Sequence, residues 1–161
     1  IDLLDLWKHF KRVTLEVSCD GWGEAVEYSR TGFSRKIFLH NLKTVMSYSN
    51  IRTQINCVVN IYSVWTLPDM EKFREKLGLY ILYAPCYLPE HVNPQRLFKQ
   101  DKLALKRLYA GNKYLEDVYT NFIAKDEPPM PKAMVRYNTE LDKHRDTNFF
   151  KTFPQYAKYK I

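Results

Sequence analysis

The chain has 161 residues, of which 45% are hydrophobic and 15% aromatic, and it carries a formal net charge of +7. This length suffices for one core of ordinary size, and the composition excludes a disordered, collagen-like or low-complexity chain. No apolar run approaches the roughly 20 residues that a membrane-spanning helix needs. The bulk composition therefore predicts a globular protein that does not span a membrane.

The first half of the chain alternates between strand and helix periodicities. Val13, Leu15 and Val17 recur at every second position, which is typical of a strand with one buried face. By the same reasoning, three strands are predicted over residues 12–18, 51–62 and 79–84. Helices are predicted between them, because Ser34 is a suitable N-cap and Pro68 suits a first helical turn. Alternation at this spacing predicts βαβ units and a parallel sheet.

The second half of the chain is predicted to be helical. Asn93-Pro94 is typical of a helix start, and the proline-rich segment 127–131 is a clear break. The predicted helices cover about residues 94–108, 112–124 and 132–143, followed by an irregular aromatic tail. The chain is accordingly divided into a β/α part, residues 1–92, and a helical C-terminal extension, residues 93–161.

The predicted sheet is small for an independent α/β domain. Three parallel strands leave an edge on each side, and few sheets of that size are stable alone. In addition, the apolar pattern of residues 3–10 predicts a leading helix that no strand precedes. Both observations predict the back half of a larger fold, whose remaining strands come from upstream sequence or from another chain.

No metal-binding or catalytic motif is recognisable. The cysteines, Cys19, Cys57 and Cys86, are odd in number and widely spaced, and neither a CxxC nor a His–Cys cluster occurs. A zinc or iron–sulfur site built from this chain alone is therefore not expected. The cysteines are predicted to be reduced, mostly buried thiols of a cytoplasmic protein. GxGxxG, P-loop, GxSxG and HExxH motifs are also missing.

The positive charge is concentrated in the second half of the chain. Residues 1–93 carry 11 basic and 10 acidic side chains, whereas residues 94–161 carry 14 and 8. A basic helical surface with interleaved aromatic residues can bind RNA or an acidic protein. The other interpretation, a solvated helical face without a partner, stays open.

Four polar residues are candidates for ligand contact. Ligands of parallel α/β proteins bind at the carboxyl ends of the strands. Ser18 ends the first predicted strand and Asp20 lies just beyond it, and the two are expected to share one face. Arg30 lies further on, and Asn60 lies in the second predicted strand. An aspartate at such a turn can accept hydrogen bonds from ribose hydroxyls, and an arginine can bind a carboxylate. An ordinary Asp-Gly turn and a surface arginine are the structural alternatives.

Two blocks of sequence resemble one known family. Residues 13–67, with Val-Ser-Cys-Asp-Gly at 17–21, resemble strands four and five of the partial (β/α)6 barrel of the radical S-adenosylmethionine (SAM) superfamily. The block at 137–154, with Asp-Lys-His-Arg-Asp-Thr-Asn leading to Phe-Pro, is similar to the tail of members with a shortened, twitch-type extension. The two blocks occur in the family's order and cover about half of the chain.

This resemblance implies a fold and an activity. The fold would be the C-terminal half of a partial, TIM-like (β/α)6 barrel, with about three parallel strands, followed by a helical extension. The activity would be reductive cleavage of SAM by a [4Fe–4S] cluster, giving a 5′-deoxyadenosyl radical. The family's cluster motif, CxxxCxxC, is absent here, so activity would require a complementing N-terminal half. Cys86 stands alone, so no auxiliary cluster is expected.

The resemblance also implies contacts with SAM. Ser18, Asp20, Arg30 and Asn60 would lie on the ribose and carboxylate side of its pocket, whereas Ser63 stands where the family commonly has an asparagine. Related enzymes act on peptides, nucleosides and small metabolites, so the substrate stays open. The alternative function is a non-catalytic module that binds RNA or an acidic partner through its basic helices.

Overall fold

A computed structural model describes residues 3–160 of the chain. Its strands are Val13–Ser18 (β1), Ile51–Val59 (β2) and Tyr80–Pro85 (β3). They form one parallel sheet in the order β1-β2-β3, in which Val17 pairs with Ile55 and Ile55 with Ile81. The α/β class and the parallel sheet predicted from the sequence are confirmed.

Two of the helices around the sheet begin where Ser34 and Pro68 predict. The helices of this part are Leu3–Trp7 (α1), Glu24–Ser29 (α2), Arg35–Met46 (α3) and Leu67–Leu77 (α4). The Ser34 hydroxyl accepts the Ile37 N–H and caps α3, while α4 ends at Gly78, whose φ is 64°. Helix α2 was not predicted, because it has only six residues and no side-chain cap.

Strand β2 is shorter than predicted. It ends at Val59, because the Asn60 side-chain oxygen accepts the backbone N–H groups of Tyr62 and Ser63 and turns the chain. An asparagine that binds the backbone two and three residues on competes with the strand ladder. The predicted extension of this strand to residue 62 is therefore wrong.

The second half is helical, with interruptions. Its α-helices are Lys99–Tyr109 (α5), Lys113–Val118 (α6), Pro131–Arg145 (α7) and Phe149–Thr152 (α8). The predicted helix over 94–108 is broken, because Leu97 and Phe98 are extended between a short 3₁₀ turn and α5. A π-helical turn, Tyr119–Ile123, continues α6. Within residues 3–160, every helix is too short or too polar to cross a bilayer.

The aromatic tail is ordered and buried, contrary to the predicted irregular segment. Asn148 caps α8 by accepting the Lys151 N–H, and a 3₁₀ helix, Pro154–Tyr159, follows. Within this segment Phe153 is 1% exposed. Its ring lies 5.3 Å from the ring of Tyr28 and 5.5 Å from that of Tyr62. The extension therefore packs onto the β/α part.

The two faces of the sheet differ in burial. Side chains such as Ile55, Cys57 and Val59 point to one face and are fully buried. The opposite face, here called the open face, carries the more exposed side chains of each strand. Its members are Thr14, Glu16 and Ser18 of β1, Arg52, Gln54, Asn56 and Val58 of β2, and Tyr80, Leu82 and Ala84 of β3.

Candidate functional site

Asp20 joins three segments at the carboxyl end of β1. It is 8% exposed, and its Oδ1 accepts the Val58 backbone N–H at 2.8 Å. Its Oδ2 accepts Nε of Arg30 at 2.8 Å and lies 2.7 Å from Nη2 of the same side chain. The structure therefore brings two of the four candidate residues together, and both oxygens of the carboxylate have protein partners.

Helix α2 positions Arg30 at this point. Arg30 follows the last helical residue, adopts an extended conformation and donates its backbone N–H to the oxygen of Val26. Its side chain is 37% exposed, whereas that of Asp20 is 11% exposed. The guanidinium thus lies at the surface above a buried carboxylate. A guanidinium has five N–H groups, so one held by Asp20 can still donate to an anionic ligand.

Ser18 does not take part in this ion pair. It is the last residue of β1, where it is exposed on the open face opposite Asn56. The two residues differ in environment, because Ser18 is the exposed last residue of β1, whereas Asp20 lies beyond the end of the strand and is buried. Asp20 instead turns inward to Val58.

Asn60 is engaged in the turn that ends β2. Its Oδ1 accepts the N–H groups of Tyr62 at 2.9 Å and Ser63 at 3.0 Å. Ser63 is fully buried, and its hydroxyl donates to the carbonyl of Val58 at 3.0 Å. The side-chain oxygen predicted to contact a ligand therefore binds backbone, and what Asn60 offers a ligand is its amide nitrogen.

The three cysteines are free thiols that differ in burial. Cys19 and Cys57 are fully buried, and burial raises the pKa of Cys19 from about 9 to about 12 and that of Cys57 well above 9. Burial also raises the pKa of Cys86, which is half-buried. In residues 3–160, no three His, Cys, Asp or Glu side chains are grouped to hold a metal ion.

The open face carries polar residues that the sequence reasoning missed. The side-chain amide of Gln54 donates to Oε1 of Glu16 at 2.7 Å. The Oδ1 atom of Asn56 is enclosed and has no hydrogen-bond partner among the described residues. The alternation Glu16-x-Ser18 and Gln54-x-Asn56 was the available signal, because two adjacent strands with polar residues at every second position define a polar face.

Helix α7 ties the tail to the first block through Asn138. This residue is fully buried, and its Oδ1 accepts the hydroxyls of Tyr28 at 3.1 Å and Tyr62 at 2.9 Å. Its amide nitrogen donates to the carbonyl of Met134 at 2.8 Å. Near the end of α7, Arg145 donates to the carbonyl of Tyr28 at 3.4 Å. The two blocks with family resemblance are therefore in direct contact.

The basic helices expose fewer cations than the sequence suggests. Lys99, Lys106 and Arg107 of α5 are exposed, but Lys102 is 4% exposed. Its Nζ donates to the carbonyl of Lys125 at 2.7 Å. Lys102 therefore fixes the segment after the π-helical turn and is not available to a nucleic acid.

Comparison with known proteins identifies no relative: no protein-family model, no curated protein and no solved structure matches the chain. The fold and site by themselves define an α/β protein with an open, three-stranded parallel sheet. Its distinguishing features are the Asp20–Arg30 pair at the carboxyl end of β1 and a polar open face.

Proposed function

We propose that this chain is the C-terminal half of a radical SAM barrel, completed by strands from outside this sequence. The observation that supports the proposal is a parallel sheet in sequential order with only one buried face. Doubly wound proteins cover both faces of a parallel sheet with helices. A (β/α) barrel keeps its helices outside and turns the other face inward. The open face is then the inner wall of the barrel.

The contact between the two resembling blocks supports the same proposal. Residues 13–67 supply Tyr28 and Tyr62, and residues 137–154 supply Asn138 and Phe153, which bind and pack against them. The family resemblance therefore falls on one packed unit.

In this proposal the polar residues at the end of β1 hold SAM. The exposed Ser18 hydroxyl contacts the ribose, and the N–H groups of Arg30 that do not bind Asp20 contact the carboxylate of the methionyl moiety. Asp20 acts as a positioning residue that fixes Arg30, and Asn60 supplies at most its amide nitrogen. The [4Fe–4S] cluster that reduces SAM in this family is assigned to residues outside this sequence.

A titration of the isotope-labelled chain with SAM, followed by NMR, tests this proposal. We expect millimolar binding, with amide shifts at Ser18 and Arg30, and weaker binding for Ser18→Ala. The matched control is Ser49→Ala, an exposed serine after α3 that should bind like wild type. Absence of shifts at millimolar SAM, or equal affinity of the Ser18 and Ser49 variants, would overturn the proposal.

A second candidate function rests on the exposed cations of α5. Lys106 and Arg107 line an open groove between α5 and α6, together with Tyr119. Cations beside an aromatic ring suit single-stranded RNA. We expect salt-sensitive RNA binding that is lost in the triple charge reversal of Lys99, Lys106 and Arg107.

The control for that experiment reverses three exposed cations of the other part, Lys36, Lys72 and Lys76. Lys102 is excluded from the set because its reversal would damage the fold. RNA binding that resists the α5 reversal, or that both triple variants lose equally, would count against a specific role of these helices.

A further inference from the structure

The β1 and β2 side of the open face presents hydrogen-bonding groups without protein partners. One oxygen of Glu16 binds Gln54, while its Oε2 and the side-chain Oε1 of Gln54 have no partner among the described residues. Arg52 lies on the same face, one pair nearer the amino ends of the strands, opposite Thr14. The carboxylate of Glu16 is thus paired with an amide rather than with this cation.

Asn56 is a polar residue that contributes little to the stability of the fold. Its Oδ1 is enclosed without a hydrogen-bond donor, and its neighbours in the same row are Ser18 and Leu82. A carbonyl oxygen that loses water without gaining a partner destabilises the folded state. An apolar side chain of the same size would fit this row better on stability alone. What the asparagine adds is an amide nitrogen on the open face.

The β3 side of the open face is apolar and exposed. Tyr80 is 52% exposed and Leu82 is 41% exposed, and each is level with one of the polar side chains of β2. Val58 and Ala84 pair beside them at the carboxyl end. An apolar patch bordered by hydrogen-bonding groups is typical of a ligand surface.

We propose that the substrate held on the open face is a peptide or an amino-acid amide, an inference that rests on the proposed barrel. The Glu16 carboxylate complements a primary ammonium group. Gln54 and Asn56 offer a carbonyl oxygen and an amide nitrogen, the acceptor and donor that pair with an amide. Tyr80 and Leu82 contact the apolar side chain of the substrate. Ammonium, amide and apolar groups occur together in peptides.

The test is an NMR titration of the whole chain with L-phenylalaninamide, which carries all three groups. We expect amide shifts at Glu16, Gln54, Asn56 and Tyr80, with millimolar affinity. Two other probes are titrated in parallel: 3-phenylpropionate, which reverses the charge, and adenosine, which represents a nucleoside substrate. Both should bind at least severalfold more weakly. Tighter binding of adenosine, or shifts confined to other surfaces, overturns the proposal.

Two variants separate a ligand role from a structural one. Glu16→Gln keeps the acceptor for Gln54 and should weaken phenylalaninamide binding at least fivefold, whereas the matched control Glu24→Gln, on exposed α2 surface, should not. Asn56→Leu should raise the melting temperature while lowering the affinity. If Asn56 had only a structural role, Asn56→Leu would lower the melting temperature, and that result would overturn the proposal.

The outcome is independent of the SAM titration. SAM is expected to shift Ser18 and Arg30, whereas phenylalaninamide is expected to shift the row of Glu16 and the row of Asn56. SAM binding without phenylalaninamide binding would refute only the substrate class. Phenylalaninamide binding without SAM binding would refute the radical SAM assignment and leave a peptide-binding face.

Discussion

Asp20 and Arg30 bind each other at the carboxyl end of the sheet, and Asp20 at the same time accepts the backbone N–H of Val58. One carboxylate therefore fixes the end of β1, the central strand β2 and the end of α2. A ligand that contacts the exposed guanidinium meets a group whose position is already set. This arrangement makes Asp20 a source of stability as well as of geometry.

Substitution of Asp20 should separate its two bonds. Asp20→Asn keeps an acceptor for Val58 and loses the ionic partner of the partly exposed Arg30, so we expect a loss of about 1–2 kcal/mol. Asp20→Ala also leaves the Val58 N–H without its partner, and we expect a loss of about 2–4 kcal/mol. Urea unfolding measures both values.

The exposed pair of Asp69 and Lys72 provides the control for these variants. Its side chains are 55% and 76% exposed, so Asp69→Asn should cost less than about 0.5 kcal/mol. If Asp20→Ala is no more destabilising than Asp69→Asn, the assignment of Asp20 as a positioning residue is wrong.

Alkaline pH should destabilise the protein through its buried thiols. The pKa of Cys19 is near 9 when unfolded and about 12 when folded, because burial disfavours the thiolate. Above pH about 9 the folded state holds more protons than the unfolded state, so stability falls as pH rises toward 12. Below pH about 9 this contribution is fully present. Burial also raises the pKa of Cys57, which adds to the same loss.

Urea midpoints measured between pH about 8 and about 11 test this effect. Cys19→Ala should show a shallower decline than wild type, by up to about 1.4 kcal/mol per pH unit. The half-exposed Cys86 serves as the control, since Cys86→Ala should change the slope less. Equal slopes for all three proteins would show that Cys19 does not contribute.

Gly21 occupies a position where a side chain would be strained. Its φ is +104°, and a Cβ atom there would lie 2.8 Å from Oγ1 of Thr66, the atom that accepts the Trp22 N–H. Gly21→Ala should therefore cost about 2–4 kcal/mol, from backbone strain and from the displaced threonine. Gly78, with φ +64° and open space around it, is the matched control, and Gly78→Ala should cost about 1 kcal/mol. Equal losses of unfolding free energy in Gly21→Ala and Gly78→Ala would mean that the contact with Thr66 adds no cost.

Lys102 should behave as a buried structural residue. Its Nζ donates to the Lys125 carbonyl and lies 3.5 Å from the carboxylate of Asp126. Lys102→Glu places a carboxylate against that carbonyl and should cost about 3 kcal/mol or more, visible as a lowered melting temperature. Lys106→Glu on the exposed side of the same helix should stay within about 0.5 kcal/mol. An unchanged melting temperature for Lys102→Glu would contradict the burial of this side chain.

The periodic parts of the fold were predictable from the sequence. Strand β1, the Ser34 cap and the first turn of α4 at Pro68 depend on local residues alone, and each was predicted within one or two positions. The open face was also encoded, since Glu16 and Gln54 follow the alternation of their strands. It was not predicted, because ligands of parallel sheets are expected at the carboxyl ends of the strands, and Glu16 and Gln54 lie before those ends.

Other features depend on contacts that sequence periodicity does not carry. Asn60 ends β2 through bonds to its own backbone, although the surrounding apolar residues continue the strand pattern. The aromatic tail becomes helical because Asn148 caps it and because its rings find Tyr28 in another part of the chain. The pairing of Asp20 with Arg30 likewise depends on α2, which local propensity did not reveal.

Asn138 should be the most sensitive polar residue of the extension. Asn138→Leu removes the acceptor of two tyrosine hydroxyls, Tyr28 and Tyr62, inside a packed aromatic cluster, and we expect a loss of about 2–4 kcal/mol. In the background of Tyr28→Phe and Tyr62→Phe no hydroxyl is left unpaired, so the same substitution should cost at least about 1 kcal/mol less. Urea unfolding of the four proteins gives this coupling energy. Additive losses would show that the hydroxyls do not depend on Asn138 and would leave the packing of Phe149 and Phe153 as the link between tail and sheet.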